Sequence, residues 1–248
     1  MKKTTLFAFL FLSCALFAET NRIIFHHLPK TGGQTFSKVF SQHFTPEEIL
    51  PEPHQYLIKD KPLSELAQYK LIRGHFLFPR FRGLSARRIT FLRDPVARVL
   101  SAHRYYEKIY KNNPQRMTLQ HMCPPEDPLK GARNQQCRFL SGLDVNNPAI
   151  SDRQHLESAK RNLRYKFFFV GITEDLDNAI STLCSLLEFP PPPEIPKLNT
   201  TEKPKKKYSQ KIIRKIEKRN PEDIELYQFA KDLYERKYKQ VNPVPTQP

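Results

Sequence analysis

The order of apolar and amphipathic segments is the feature that most restricts the fold of this 248-residue chain. Short apolar runs with the length of buried strands lie at 22–28, 70–74, 88–93 and 166–172. Helical patterns lie at 34–43, 95–110, 133–140, 152–163, 175–187, 209–218 and 221–238. This alternation predicts an α/β fold with a mainly parallel sheet and helices on both faces. In such sheets, ligands bind beyond the carboxyl ends of the strands.

The first strand continues directly into Lys30-Thr31-Gly32-Gly33-Gln34-Thr35, a segment that predicts an anion-binding loop. Its two glycines let the backbone approach a ligand closely, and the helix that follows adds its positive N-terminal end. Lys30 contributes a full charge, while Thr31 and Thr35 contribute hydroxyl donors. The segment lacks the Gly-Lys-Ser/Thr ending of a Walker A loop. Taken alone, it also fits an ordinary turn between a strand and a helix.

A second set of polar residues begins at the end of the strand at 88–93. This strand ends in Arg93, where the ligand crevice is expected to open. Ser101 follows eight positions later, about two helical turns away. The planar fork of arginine binds phosphate, and a serine hydroxyl adds a donor. Arg98 is interpreted as a solvated helix charge. Asp94 could resemble a Walker B acid, but it precedes Pro95 and is interpreted as a helix cap.

The segments PKTGGQTF and TFLRDPVARVLS together resemble two motifs of PAPS-dependent carbohydrate sulfotransferases. PAPS is 3′-phosphoadenosine 5′-phosphosulfate, and the motifs bind its 5′-phosphosulfate and its 3′-phosphate. The resemblance is to the group that includes heparan sulfate 2-O-sulfotransferase and related bacterial proteins, and it extends thinly over 22–238. It implies a P-loop-NTPase-like sheet, and an enzyme that moves the sulfuryl group of PAPS to a carbohydrate hydroxyl.

The resemblance also implies roles for individual residues. Lys30 would bind the phosphosulfate and stabilise charge on the bridging oxygen as that oxygen leaves. The cradle around the 5′-phosphate would be formed by Thr31, Gly32, Gly33, Gln34 and Thr35. Arg93 and Ser101 would hold the 3′-phosphate, and the loop at 197–203 would close over the nucleotide.

Sulfuryl transfer also needs a group that removes the proton of the acceptor, and histidine suits that role near neutral pH. His75 ends the strand at 70–74, on the expected active edge. In similar sulfotransferases a histidine after a glycine at this point in the order is the catalytic base, so the resemblance implies His75 as the base. Of His26 and His27 in the first strand, one is expected to pack in the core and the other to approach the site.

The formal net charge of +16 favours an anionic partner. The expected acceptor is an anionic glycan, with Arg80, Arg82, Arg87 and Arg88 near the mouth of its cleft; the alternative is that these arginines form a solvated surface. No metal is expected, since no carboxylate cluster suggests Mg²⁺. The alternative functions are a P-loop-type kinase or nucleotide hydrolase, and a non-catalytic polyanion-binding module. Nucleic acid is not expected, because no aromatic–basic binding motif is present.

Residues 1–18 have the pattern of a signal peptide, with two lysines before an apolar run that ends in small residues. The pattern predicts a secreted or periplasmic protein; an uncleaved membrane anchor on the exported side and a lipoprotein site at Cys14 are the alternatives. We expect a single sulfotransferase domain at 19–240 and a Pro-rich tail at 241–248. In an exported protein Cys123 and Cys137 could form a disulfide, whereas Cys184 is expected to be a buried thiol. The oligomeric state stays open.

Overall fold

The structure, a computed structural model, describes residues 21–112, 133–196 and 208–238. In these ranges the strands are β1 (Ile23–His26), β2 (Leu71–Gly74), β3 (Arg87–Leu92) and β4 (Phe169–Ile172). They form one sheet in the order β2-β1-β3-β4, and every neighbouring pair is parallel. The α/β fold and the parallel sheet expected from the sequence are confirmed.

Helices occupy the positions between and after the strands that the periodic patterns predict. They are α1 (Gly33–Ser41), α2 (Leu63–Leu66), α3 (Pro95–Asn112), α4 (Gln135–Ser141), α5 (Asp152–Tyr165), α6 (Leu176–Leu186), α7 (Gln210–Arg219) and α8 (Pro221–Tyr238). Pro95 stands in the first turn of α3, where its missing N–H costs no hydrogen bond. The one-turn helix α2 was not expected, because a segment of four residues is too short to show a helical period.

Alternate residues of the strands pack into two apolar clusters. Phe25 belongs to the larger cluster and stacks on Phe36 of α1, with their ring centroids 3.8 Å apart. Ile24 and Ile72 belong to the second cluster, together with Phe76. Because the β1 side chains are buried on both faces, a slip of one residue would exchange the two sets, so the register of the strand is strongly specified.

A buried polar network fixes α3 and α8 against the N-terminus of α4. Arg98 is only 1% exposed, and its guanidinium donates to Gln135 Oε1 and lies 3.9 Å from Asp223 Oδ2. The carboxylate of Asp223 also accepts the backbone N–H groups of Gln136 (3.0 Å) and Cys137 (2.8 Å). The interpretation of Arg98 as a solvated charge is therefore wrong: a carboxylate from a distant helix compensates its charge in the interior.

Replacing Asp223 with alanine should destabilise the protein strongly. The change leaves the Arg98 charge buried without its carboxylate and removes the acceptor for two N–H groups of α4. Breaking one side of a buried ion pair costs about 3–5 kcal/mol. Chemical denaturation measures this loss. The control is Asp232→Ala on the same helix, since Asp232 accepts a hydrogen bond from Gln228 at the surface. Equal stability of the two variants would contradict the assigned role of the network.

Among the described residues, Cys137 and Cys184 form no disulfide; both thiols are buried, and burial raises the pKa of each, that of Cys184 to about 11. The expectation for Cys184 is confirmed. Cys123, the other half of the possible disulfide, lies outside the described residues, as do the leader at 1–18, the loop at 197–203 and the tail at 241–248. Within the described ranges, no helix is long and apolar enough to cross a membrane.

Candidate active site

Two residues of the loop after β1 have left-handed backbone conformations. Lys30 and Gly32 have left-handed φ angles of 72° and 85°. At the lysine this conformation costs on the order of 1–3 kcal/mol, a strain that proteins retain mainly where a loop binds a ligand. Gly33 begins α1, and a Cβ atom there would overlap the ring of His27. Gly32 caps α1 without a side chain, so the first-turn N–H groups are available to an anion.

The two threonines of the loop have other partners for their hydroxyl groups. Thr31 is buried and donates to the carbonyl of Leu28 over 2.8 Å. Thr35 donates to the carbonyl of Pro196 over 3.2 Å, which ties the segment after α6 to the start of α1. In this conformation the backbone N–H groups, rather than these hydroxyls, are what the loop offers to a ligand.

Arg93 meets this loop from the neighbouring strand. It follows β3, and its Nη1 donates to the carbonyl of Lys30 over 3.1 Å. Buried Gln136 holds its backbone through two hydrogen bonds: Oε1 accepts from the N–H of Arg93 (3.0 Å), and Nε2 donates to its carbonyl (2.9 Å). The two motifs that are far apart in the sequence thus form one site.

The site has an excess of positive charge. Lys30 Nζ lies 4.1 Å from the centroid of the Tyr105 ring. Burial and the nearby cations Arg93 and Arg104 lower the pKa of Lys30. The Nε atoms of Arg93 and Arg104 are buried without a hydrogen-bond acceptor in the described structure. The Nε of Arg93 lies 3.9 Å from Glu174 Oε1, in an ion pair. An anion at this position would neutralise the charges and accept these hydrogens, so the residues fit a phosphate-bearing ligand.

The helix that follows Arg93 carries the remaining members of the second motif. Asp94 accepts the N–H of Ala97 over 2.8 Å, so it caps α3 as expected. Its own N–H donates to Glu174, a residue that the sequence analysis did not single out. Ser101 is 6% exposed on α3. Within the described chain, no group of three or more His, Cys, Asp or Glu side chains is arranged to hold a metal ion.

His75 lies directly after β2, in a stack of three imidazole rings. The ring of His27 lies 4.3 Å away on one side, and the ring of His54 lies 5.2 Å away on the other, centroid to centroid. The Nδ1 of His75 is 2.9 Å from the carbonyl oxygen of His27. A carbonyl only accepts hydrogen bonds, so this contact assigns the hydrogen to Nδ1 and leaves the lone pair on Nε2.

Burial lowers the pKa of His75, with His54 and Lys30 adding to the effect, while the hydrogen bond to the His27 carbonyl opposes it. The imidazole is therefore neutral at neutral pH, the state in which it can accept a proton.

His26, the last residue of β1, and His27, which follows it, divide as expected. His26 is fully buried, its Nδ1 lies 3.2 Å from the Phe76 carbonyl, and burial lowers its pKa to about 3. It is the core histidine, whereas His27 reaches the site.

An open cleft of about 510 Å³ adjoins this histidine stack on the β2 side of the loop. It is lined by His27, Gly33, Gln34, Ser37, Lys38, Ser41, Pro53, His54, Arg73, Gly74 and His75. The arginines expected near the acceptor are not among them. Arg80 donates to the carbonyls of Ile58 and Lys61, both over 2.6 Å. Arg88 donates to two other carbonyls, so both arginines support the local chain.

Sequence reasoning missed several residues that complete the site. Gln136, Tyr105, Arg104, His54 and Arg73 all come from segments without a motif. Only the tertiary structure shows that they lie beside the loop or the cleft.

A parallel sheet with a glycine-containing loop after its first strand and an arginine at the end of the adjacent strand is typical of a class of α/β protein that binds phosphorylated ligands. Within that class, the chain belongs to the sulfotransferase family: the match to the family described as "Sulfotransferase family" covers residues 14–230.

Curated relatives agree with this assignment. Human heparan-sulfate 6-O-sulfotransferase 2 is 27% identical in an alignment of length 278 that covers 87% of this chain and 45% of that protein. Heparan-sulfate 6-O-sulfotransferase 2 of Danio rerio is 28% identical in an alignment of length 282 (87% and 58%), and human heparan-sulfate 6-O-sulfotransferase 1 is 31% identical in an alignment of length 188 (60% and 44%). The chain spans about half the length of the curated relatives it matches. These relatives confirm the resemblance to carbohydrate sulfotransferases. All three are 6-O-sulfotransferases, whereas the sequence motifs suggest the group that includes heparan sulfate 2-O-sulfotransferase.

Proposed function

We propose that this protein transfers the sulfuryl group of PAPS to a hydroxyl of a carbohydrate. The observation that supports this most strongly is the hydrogen bond between Arg93 Nη1 and the Lys30 carbonyl. It joins the loop expected to bind the 5′-phosphosulfate to the arginine expected to bind the 3′-phosphate. The relatives' names add support for a glycan acceptor.

The donor is held by the loop and by α3. Backbone N–H groups at 31–35 and the positive end of α1 bind the 5′-phosphate, and Lys30 binds the phosphosulfate. Arg93 and Ser101 bind the 3′-phosphate. Because the sheet order is β2-β1-β3, the 3′-phosphate lies on the β3 side of the loop and the acceptor cleft on the β2 side.

In the reaction, the acceptor oxygen forms a bond to sulfur while the bond from sulfur to the 5′-phosphate oxygen breaks. The acceptor proton passes to Nε2 of His75, and adenosine 3′,5′-bisphosphate leaves. Lys30 stabilises the negative charge that develops on the leaving oxygen. No step needs a metal, so the proposed reaction proceeds in the presence of a chelator.

Incubation of the purified protein with ³⁵S-labelled PAPS and a panel of glycans tests the function, and heparan-type polymers are expected to become labelled. Calorimetry with adenosine 3′,5′-bisphosphate tests donor binding separately. Binding without transfer to any glycan would favour the polyanion-binding module. Magnesium-dependent release of phosphate from ATP would favour the kinase or hydrolase alternative. Either result contradicts the proposal.

Replacing Arg93 with lysine should remove the preference for a 3′-phosphate. Lysine keeps the charge but loses the bidentate fork. We expect affinity for adenosine 3′,5′-bisphosphate to fall about 10- to 100-fold, and affinity for adenosine 5′-phosphate to change little. Calorimetry with both nucleotides measures the difference. A parallel loss for both would assign Arg93 to the 5′ side instead.

The pH profile should show an acidic limb below the ordinary imidazole pKa of about 6.5. His75 must be neutral to accept a proton, and burial lowers its pKa. Its charged or titratable neighbours are His27, His54, Lys30 and the cleft cations Arg73 and Lys38. His54→Phe keeps an aromatic ring but removes the imidazole that helps to lower the pKa of His75. In a plot of kcat against pH, we therefore expect the acidic limb of this variant to lie at higher pH. A limb that lies above 6.5 in the unaltered protein would contradict the assignment.

We also propose that the protein acts on the exported side of a membrane, secreted, periplasmic or anchored. The support is the leader pattern at 1–18. N-terminal sequencing of the protein from its exported fraction should begin at Glu19 if the leader is cleaved. Recovery of the full-length chain in the cytosolic fraction alone would contradict export.

A further inference from the structure

The cleft beside His75 contains a pair of cations that the donor site does not use. Arg73 and Lys38 line it, and its lining includes no Asp or Glu. It lies on the β2 side of the loop, away from Arg93 on the β3 side. Arg73 and Lys38 are therefore placed next to the acceptor position rather than along the donor.

Arg73 is held in a fixed position. It lies on β2, two residues before His75, and alternate residues of an extended segment project to the same face. Its Nε donates to Ser41 Oγ of α1 over 3.0 Å. The side chain is half-buried, and burial lowers its pKa. No carboxylate in the described part of the chain forms an ion pair with Arg73, so its charge is left without a counterion.

Lys38 adds a second positive charge to the lining of the cleft. It lies on α1, three residues before Ser41, so the two residues are on the same face of the helix. Arg80 and Arg88 differ from these cations, because they donate to backbone carbonyls that the fold itself supplies. Arg73 lines the cleft, and its two Nη groups form no hydrogen bond with the described residues; the guanidinium fork matches the geometry of an oxyanion.

We propose that Arg73, assisted by Lys38, binds an oxyanion of the acceptor, a carboxylate or a sulfate, and thereby selects anionic glycans and orients the hydroxyl toward His75. This inference rests on the proposed sulfotransferase function. Arg73 acts here as a specificity-determining residue, and it takes no part in proton or sulfuryl transfer.

The test uses the full chain and three acceptors of the same backbone: an unsulfated polymer of glucosamine and glucuronic acid, its carboxyl-reduced form, and the carboxyl-reduced form after N-sulfation. For Arg73→Gln we expect the KM of the anionic acceptor to rise about 10- to 100-fold, with the affinity for adenosine 3′,5′-bisphosphate unchanged. The carboxyl-reduced polymer should already have a high KM with the unaltered protein, and Arg73→Gln should not raise it further. Rescue of the KM by N-sulfation of the carboxyl-reduced polymer would identify sulfate as the group bound; no rescue would identify carboxylate.

Arg73→Lys keeps the charge without the fork, and we expect a smaller rise in KM; it also serves if the glutamine variant does not fold. Lys231→Gln, which removes an exposed cation on α8, is the matched control and should leave KM unchanged. An equal rise in KM for charged and uncharged acceptors in Arg73→Gln would contradict the proposed anion subsite. A fall in kcat with KM constant would contradict it as well. Failure of the unaltered protein to sulfate any acceptor would instead overturn the proposed function, so the two failures are distinguishable.

Discussion

His75→Ala is expected to lower kcat by about 10²- to 10⁴-fold, the usual contribution of a general base. The variant removes the ring nitrogen proposed as the base, Nε2 of His75, whose partner nitrogen Nδ1 is held by the His27 carbonyl. The loop at 30–35 and Arg93 are unchanged, so the affinity for adenosine 3′,5′-bisphosphate should stay within about two-fold. Single-turnover transfer from labelled PAPS measures the first effect, and calorimetry measures the second.

Two further variants separate chemistry from structure in this experiment. His75→Gln keeps a polar side chain of similar length, and it should be as inactive as the alanine variant. His43→Phe is the control: the ring of His43 stacks on Phe189 with centroids 4.4 Å apart, and phenylalanine preserves that packing. Near-normal turnover of His75→Ala, with donor binding intact, would remove His75 from the role of base.

The second large effect is expected for Lys30→Ala. Lys30 is the cation placed to stabilise the oxygen that leaves with the 5′-phosphate. Removal of a single preorganised group of this kind typically costs about 10²- to 10³-fold in kcat. The nucleotide product should lose less affinity, because the N–H groups of the loop and Arg93 remain. Alanine also accepts the left-handed backbone at this position less readily than glycine, so stability must be measured beside activity.

Lys30→Gly provides the control for that backbone effect, since glycine relieves the strain and removes the same charge. Both variants should have the same low kcat, although the glycine variant should be the more stable. If Lys30→Gly retained full turnover, the lysine would be a structural residue of the loop, and the leaving-group role would have to be assigned to Arg93 or Arg104.

The strands, most of the helices and the donor motifs could be predicted from the sequence because each depends on short-range information. Buried strands are continuous apolar runs, helices repeat every 3.6 residues, and the loop needs glycines at fixed positions. Asp94 as the cap of α3 follows from the same local logic. The roles of the site residues in catalysis stay predictions, but their positions at one edge of a parallel sheet follow from the order of the elements.

What the sequence alone determined, then, was the α/β fold and the family, and it also predicted the two motifs proposed to bind the donor. Only the tertiary structure decided what each charged side chain does. Arg98 can be buried because Asp223, on a helix distant in the sequence, compensates its charge. Arg80 donates to a backbone carbonyl of the fold and does not line the cleft proposed for the glycan. Arg73 lines the cleft beside His75, and no carboxylate of the described ranges forms an ion pair with it. The physical reason is that the energy of a charge depends on its surroundings, and packing brings those surroundings from remote parts of the chain.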